Sequence, residues 1–234
     1  YFPWNYHEIE PGCWNFKGER DVRAFLRQAR EEGLYVVARP GPYICSEWDG
    51  GALPAYLSAG PGDGLRDNSP KYLEAVRRWF DQIMPILAEY QVDRHGSIVL
   101  VQLENELDFY SCSDRTGMMS ALRDMALAHG ITVPLVACAG QGDIPRATGG
   151  VAGIVPTCNI YFDEPSTEVE TRTRHFYHLL HRQGLPLCIT ETMRSHTALR
   201  RLLVGGAKLI GPYLQAGGTN FGFTNGVTNW GTPL

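Results

Sequence analysis

Three glutamates that follow apolar, strand-like segments have the clearest capacity for chemistry in this 234-residue sequence. Glu104 and Glu106 follow the apolar segment 98–103, and Glu191 ends the segment 186–191. A charged residue at the end of a buried strand is costly unless it faces a polar site. Such carboxylates can bind a divalent cation, or they can act as the acid/base and the nucleophile of a glycosidase. A solvated strand end without function is the alternative.

The loop after an earlier apolar segment adds another carboxylate. Residues 39–48 read RPGPYICSEW, and Pro40 and Pro42 stiffen this loop because proline fixes the backbone angle φ. Glu47 beside Trp48 pairs an acceptor for hydroxyl groups with a flat apolar face, which suits a sugar ring. The alternative is a proline-rich turn with an exposed acid and a tryptophan in the core. Because no cluster of further oxygen ligands is evident, we favour sugar binding over metal binding.

These polar segments occur in a chain that alternates short apolar strands with amphipathic helices. Continuous apolar runs are typical of parallel strands that are buried on both faces. We predict strands at 34–39, 98–104, 134–139, 155–161, 186–191 and 209–214, and the end of a further strand at 1–4. We predict helices at 21–32, 70–91, 115–129, 166–183 and 197–204.

This pattern fits either an open doubly wound sheet or an eight-stranded barrel. No GxGxxG motif follows any strand, and the carboxylates lie at the carboxyl ends of strands, where barrel enzymes carry their chemistry. We therefore predict an α/β fold, a TIM (β/α)8 barrel, as one catalytic domain over residues 1–234. A complete barrel needs about 250 residues, so we interpret the sequence as strands two to eight, incomplete at both ends.

Composition excludes several classes of partner. The net charge is −4 with both signs scattered along the chain, which argues against binding to nucleic acid or to an anionic membrane. The apolar runs are too short to span a membrane, so we expect a soluble chain. Without CxxC or HExxH motifs we expect no metal and no cofactor. No secretion signal is visible and reduced thiols are favoured, so the cytoplasm is favoured over secretion; compartment and oligomeric state stay open.

Four motifs, in this order and spacing, resemble the β-galactosidases of glycoside hydrolase family 35. They are YFPWNYHE at 1–8, RPGPYICSEW at 39–48, VQLENE at 101–106 and GGTNFG at 217–222. The resemblance implies a (β/α)8 barrel and a retaining, exo-acting enzyme that releases terminal non-reducing β-D-galactose by double displacement. Its substrate would be a β-galactoside or a related oligosaccharide.

The resemblance also assigns roles by position in the motifs. Glu106 takes the position of the general acid/base and Glu191 that of the nucleophile, whereas Glu104 becomes a supporting residue. A general acid works best with a raised pKa, so we expect the pKa of Glu106 to be raised. The positions implied to contact galactose are Tyr1, Cys45, Ser46, Glu47 and Asn105, with Asn105 holding the 2-hydroxyl group.

Two departures from the family pattern leave the sugar open. Thr192 and Met193 follow Glu191 where the family has an aromatic residue and a nearby Gly-Trp, and Leu107-Asp108 replaces the usual Tyr-Gly. One alternative is therefore a retaining glycosidase that acts on a β-glucoside or β-glucosaminide. Another is a noncatalytic galactoside-binding protein in which Glu191 is not positioned for attack.

Overall fold

A computed structural model describes residues 1–47, 50–58, 64–140, 142–163 and 165–214, and the backbone of 219–220 and 224–225. Trp48 and most of the motif at 217–222 therefore lie outside the described residues.

A curled sheet of six parallel strands, arranged in chain order, forms the centre of the fold. Two short antiparallel pairs accompany it, β1 (Glu8–Glu10) with β2 (Cys13–Trp14) and β9 (Thr219–Asn220) with β10 (Thr224–Asn225). The sheet consists of β3 (Val36–Gly41), β4 (Ile98–Leu103), β5 (Leu135–Ala139), β6 (Ile154–Ile160), β7 (Cys188–Thr192) and β8 (Leu209–Pro212).

Among the described residues, two helices precede the sheet, α1 (Trp4–His7) and α2 (Val22–Glu31). Five more in the same ranges connect its successive strands: α3 (Pro70–Glu89), α4 (Arg115–Ala128), α5 (Ile144–Thr148), α6 (Val169–His181) and α7 (His196–Val204). Side-chain caps fix several of their amino termini; the Asp21 carboxylate, for example, accepts a hydrogen bond of 2.9 Å from the Ala24 N–H. None of the helices in the described ranges is both long and apolar enough to cross a membrane.

The core has two parts. The larger joins β3, β4 and β5 to α3 and α4, with the fully buried Trp79, Phe80 and Leu103 among its members. The smaller packs β6 and β7 against α6 and α7, around residues such as Phe176 and Ile189. Strands packed against helices in this way are rich in apolar residues, as the sequence indicates.

The helices and strands predicted from 21 onwards are confirmed, with small differences at their ends. The predicted strand end at 1–4 is wrong, because α1 begins at Trp4. Only the Phe2 N–H forms a strand-like hydrogen bond, of 3.0 Å, to the Arg39 carbonyl of β3. The next N–H that would point toward β3 in a strand is that of Trp4, which already belongs to α1. The sheet therefore contains six strands among the described residues, rather than the expected seven.

The two edges of the sheet, β3 and β8, face each other across a cavity of about 530 Å³. The lining includes Val37 and Arg39 of β3, Ile210 of β8, and Thr190 of β7.

Candidate active site

The carboxyl ends of β3 and β4 concentrate an uncommon backbone conformation. Cys45, Glu47, Glu104 and Glu106 have φ values of 49°, 54°, 59° and 50°, in the left-handed region. For residues other than glycine this region costs about 1–2 kcal/mol each. It persists where the surrounding structure fixes it, and such residues cluster at functional sites.

Arg39 is a buried cation at the carboxyl end of the sheet. Its side chain is only 6% exposed, and its Nη1 lies 2.6 Å from Oε1 of Glu191. It also donates hydrogen bonds to the Tyr1 hydroxyl and to Oδ1 of Asn105. Burial opposes the charge, but Glu191 and Tyr1 outweigh it and raise the pKa of Arg39 above its ordinary value. One guanidinium thereby joins the ends of β4 and β7.

Glu191 receives hydrogen bonds at both carboxylate oxygens. The Tyr1 hydroxyl donates to Oε1 at 3.2 Å, and the Tyr161 hydroxyl donates to Oε2 at 3.1 Å. Burial and the nearby charge of Glu191 raise the pKa of both tyrosines, so these hydroxyls keep their protons and remain donors. With Arg39, three side chains hold this carboxylate in a fixed orientation.

A bulge in β7 brings Glu191 to this position. Cys158 of β6 pairs with Ile189 and the next residue, Asn159, pairs with Glu191, so Thr190 has no partner on β6. In a regular strand, consecutive side chains point to opposite faces of the sheet. Here Thr190 lines the cavity, while Glu191 contacts Arg39, which lines the same cavity. Bulges of this kind re-aim side chains next to active sites.

Glu106 lies directly after β4 in a half-buried position. Its Oε1 accepts a hydrogen bond of 2.8 Å from the Asn159 side-chain amide. Burial raises the pKa of Glu106, and the charges of Glu191 and Asp108 act in the same direction, although Asn159 and Arg39 oppose them. This is the direction that a general acid requires.

Glu104 belongs to a separate ion pair. The strand ends at Leu103, and Glu104 turns away in the left-handed region, so strand alternation does not put it beside Glu106. Both of its carboxylate oxygens accept hydrogen bonds of 2.8 Å from Arg66, and the two side chains are 1% and 8% exposed. Arg66 also donates to the Asn105 carbonyl at 2.6 Å. Glu104 therefore pairs with an arginine that also holds the backbone of the next residue.

We expect Arg66→Ala to lower the free energy of unfolding by about 3–5 kcal/mol, because it leaves Glu104 buried without its counter-ion. Denaturant unfolding measures this loss. The matched control is Arg23→Ala, since Arg23 pairs with Glu89 on the surface at 43% and 53% exposure. An exposed pair contributes at most about 1 kcal/mol, so equal losses in the two variants would contradict a supporting role for the buried pair.

Asn105 presents an amide group to the site. Its Oδ1 accepts from Arg39 and also lies 3.3 Å from both Gln102 Nε2 and Cys138 Sγ. Its Nδ2 is buried and has no hydrogen-bond partner among the described residues. A buried donor without a partner is costly, so a ligand that accepts from Nδ2 would gain from the interaction.

The loop after β3 carries the remaining residues that the resemblance implied. Cys45, Ser46 and Glu47 are all half-buried there. Glu47 accepts a hydrogen bond of 2.6 Å from the hydroxyl of Tyr213, which follows β8. Burial raises the pKa of the Cys45 thiol, and the nearby carboxylates, Glu106 among them, also raise it. Cys45 therefore lies near the charges of Glu47, Glu106 and Glu191.

Sequence reasoning did not single out Arg39, Asn159, Tyr161 or Thr190 as site residues. Asn159 and Tyr161 carry the same signal as the glutamates, because they end a buried apolar segment at the carboxyl edge of the sheet. Thr190 has no such signal, since the bulge that exposes it to the cavity depends on both neighbouring strands. Within the described ranges, no group of three or more His, Cys, Asp or Glu side chains could hold a metal ion.

The fold resembles that of solved glycosidases with TIM barrels. A β-galactosidase from Rahnella sp. R3 superimposes with a TM-score of 0.65 at 14% identity, covering 90% of this chain and 44% of that one. XacCel5A gives a TM-score of 0.62 at 10% identity, covering 99% of this chain and 79% of that one. At these identities the likeness concerns the fold alone.

Sequence comparison defines the family. Residues 1–233 match the family model for glycosyl hydrolases family 35. The chain is 33% identical over 251 residues to the beta-galactosidase-1-like protein of Mus musculus, covering 100% of this chain and 38% of that protein. It is 32% identical over 241 residues to the beta-galactosidase of Homo sapiens, covering 98% of this chain and 36% of that protein.

The chain therefore belongs to glycosyl hydrolases family 35, which confirms the resemblance seen in the four motifs. It spans little more than a third of the length of these relatives.

Proposed function

We propose that the protein containing this chain is a retaining, exo-acting β-galactosidase that releases terminal non-reducing β-D-galactose. The observation that carries the proposal is that Glu106 and Glu191 both lie at the carboxyl end of the sheet, in environments that favour different protonation states. Glu106 has a raised pKa, whereas Glu191 contacts a buried arginine and two hydroxyl donors. A glycosidase needs one carboxyl group that is protonated and a second that is ionised.

In the proposed first step, Glu191 attacks the anomeric carbon as the bond to the leaving group breaks, and Glu106 gives its proton to the leaving oxygen. The product is a galactosyl ester of Glu191. In the second step a water molecule attacks the anomeric carbon and gives a proton to Glu106, while the bond from that carbon to Glu191 breaks, which releases β-galactose and regenerates the Glu191 carboxylate. Arg39 and Tyr161 keep Glu191 oriented for the first attack.

We further propose that Asn105, Tyr1, Glu47 and the Cys45–Ser46 backbone contact galactose hydroxyls. The unpartnered Nδ2 of Asn105 supports this role, because a sugar hydroxyl can accept its hydrogen bond. The alternation of strands and helices and the TIM-barrel neighbours support one (β/α)8 catalytic domain over residues 1–234. In that barrel the six parallel strands are numbers three to eight, and the hydrogen bond from the Phe2 N–H to the Arg39 carbonyl marks where strand two would pair with β3.

Nitrophenol release by the full-length protein from the β-galactoside, β-glucoside and β-glucosaminide tests the sugar. We expect kcat/KM to favour the galactoside by at least about 100-fold, because a site built on hydrogen bonds discriminates strongly against misplaced hydroxyls. NMR of the first product should show β-galactose, which indicates retention. A preference for another sugar would replace galactose in the proposal, and galactose binding without turnover would favour the binding-protein alternative.

Gly140 provides a separate test of Glu106. A β-carbon at this position would collide with the Phe109 ring and would lie 2.6 Å from the Glu106 carboxyl carbon and 2.7 Å from its Oε1. The glycine cannot retreat easily, because its N–H donates a hydrogen bond of 2.9 Å to Asp108. We therefore expect Gly140→Ala to lower kcat for the nitrophenyl β-galactoside by about 100-fold through displacement of Glu106. Unchanged kcat in a variant with a normal unfolding transition would show that Glu106 need not hold this position.

A further inference from the structure

Glu106 is attached to the interior of the sheet by a chain of side-chain hydrogen bonds. Asn159 Nδ2 donates to Glu106 Oε1 at 2.8 Å, and Asn159 Oδ1 accepts from the Thr190 hydroxyl at 2.9 Å. The Thr190 hydroxyl is 3.0 Å from that of Thr157, which in turn lies 3.3 Å from the Ala137 carbonyl. Thr157 and Asn159 belong to β6 and Thr190 to β7, so these two strands are connected to the carboxyl group after β4.

The single proton of each hydroxyl gives this chain a direction. Because Thr190 donates its proton to Asn159, a hydrogen bond between the two threonines requires Thr157 to donate to Thr190. Thr157 then has no proton left for the Ala137 carbonyl at 3.3 Å, so the chain begins at Thr157. Both acceptor and donor of the Asn159 amide are then in use, which fixes the amide with its NH₂ group toward Glu106. Asn159 and Thr157 are 1% and 0% exposed, so water does not compete for these bonds.

The bulge in β7 makes the connection possible. It leaves Thr190 without a β6 partner and directs its side chain into the cavity, one residue before Glu191. Gly211 of β8 accommodates the bulge, since a β-carbon there would collide with the Thr190 carbonyl. The bulge thus positions Glu191 directly, and it also brings Thr190 to Asn159, which contacts Glu106.

We propose that Thr190 and Asn159 are positioning residues that hold the Glu106 carboxyl group in the orientation required for proton transfer. The inference rests on the proposed function, because it assigns the orientation of the acid/base of that reaction. Two members of the network, Asn159 and Thr157, are buried, and a buried hydrogen-bond network makes the groups that it holds rigid, which is the support that a reacting group needs.

The principal variant is Thr190→Val, which removes the hydroxyl and nearly keeps the shape of the side chain. We expect kcat/KM for alkyl β-galactosides to fall by about 10-fold or more, as with other partners that orient a reacting group. The dinitrophenyl β-galactoside should be nearly unaffected, because its leaving group departs without a proton. Thr190→Ser restores the hydroxyl and should recover the activity.

Thr192→Val is the matched control. Thr192 lies on the same strand, and its buried hydroxyl donates a hydrogen bond of 2.7 Å to the Ile160 carbonyl of β6. It bridges the same two strands without contact to Asn159, so it reports any general effect of losing a buried hydroxyl. Equal losses in Thr190→Val and Thr192→Val, or equal losses on all substrates, would overturn the proposal.

A titration that needs no turnover separates this proposal from the proposed function. The Asn159 bond stabilises the charged form of Glu106, so Asn159→Ala should raise the pKa of that carboxyl group. Carbon-13 NMR of labelled glutamate, with the resonance assigned by Glu106→Gln, measures the shift. If the wild type hydrolyses no glycoside but the shift is present, the proposed reaction fails and the support of Glu106 stands. An unchanged pKa of Glu106 in Asn159→Ala would overturn the proposed positioning of Glu106 by the hydrogen-bond chain.

Discussion

Glu191→Ala should abolish hydrolysis of the nitrophenyl β-galactoside, with kcat lower by about 10⁴-fold or more. Without this carboxylate the galactosyl ester cannot form, so the two-step route is lost. Initial rates of nitrophenol release measure the effect, and denaturant unfolding verifies that the variant is folded.

Azide provides the sharper control for this variant. Removal of the carboxylate leaves space beside Arg39 and Tyr161, where a small anion can approach the anomeric carbon. Attack by azide in one displacement inverts the configuration, so the expected product is the α-galactosyl azide. Rescue with this product would identify Glu191 as the nucleophile. Hydrolysis by Glu191→Ala at the wild-type rate would show that another group attacks.

Glu106→Gln should give the second large effect, and its size should depend on the leaving group. For alkyl β-galactosides we expect kcat/KM to fall by about 10²–10⁴-fold, because glutamine cannot supply a proton to the leaving oxygen. For the dinitrophenyl β-galactoside the first step should be nearly unchanged. A series of substrates with graded leaving-group pKa measures this difference.

The pH profile gives an independent reading of the same variant. A general acid must be protonated, so the wild-type activity should fall as the pH rises through the pKa of Glu106. Since burial raises that pKa, the activity should persist to higher pH than an ordinary carboxyl group would allow. In Glu106→Gln this alkaline limb should vanish.

Glu104→Gln is the matched control, because it alters the neighbouring glutamate that pairs with Arg66. It should destabilise the fold and keep the alkaline limb. A limb that survives in Glu106→Gln or is lost in Glu104→Gln would contradict the assignment of the acid.

The order of elements could be predicted because burial on both faces leaves a strong imprint on the chain. The strand at 98–103 is apolar except for Gln102 and is followed by Glu104 and Glu106, and the strand at 188–192 carries Glu191 near its carboxyl end, so both candidate carboxylates could be named without coordinates. The strand predicted at 1–4 failed because α1 starts at Trp4, an outcome that local apolar character does not indicate.

The roles of neighbouring residues could not be predicted in the same way. Glu104, Asn105 and Glu106 are consecutive, yet one pairs with Arg66, one with Arg39 and one with Asn159. The positive φ values of Glu104 and Glu106 turn the three side chains in different directions, and their partners come from distant parts of the chain. A pattern with a period of two residues carries no information about a backbone that has left the strand.

By itself, the sequence determined the alternation of strands and helices, the family, and the two candidate carboxylates at the carboxyl end of the sheet. Only the tertiary structure decided that Arg39 links the ends of β4 and β7, and that Thr190 reaches Asn159 from a bulge. The physical reason is that burial periodicity is a local property of the chain. Hydrogen-bond partners and bulges are decided by how strands from distant segments pair.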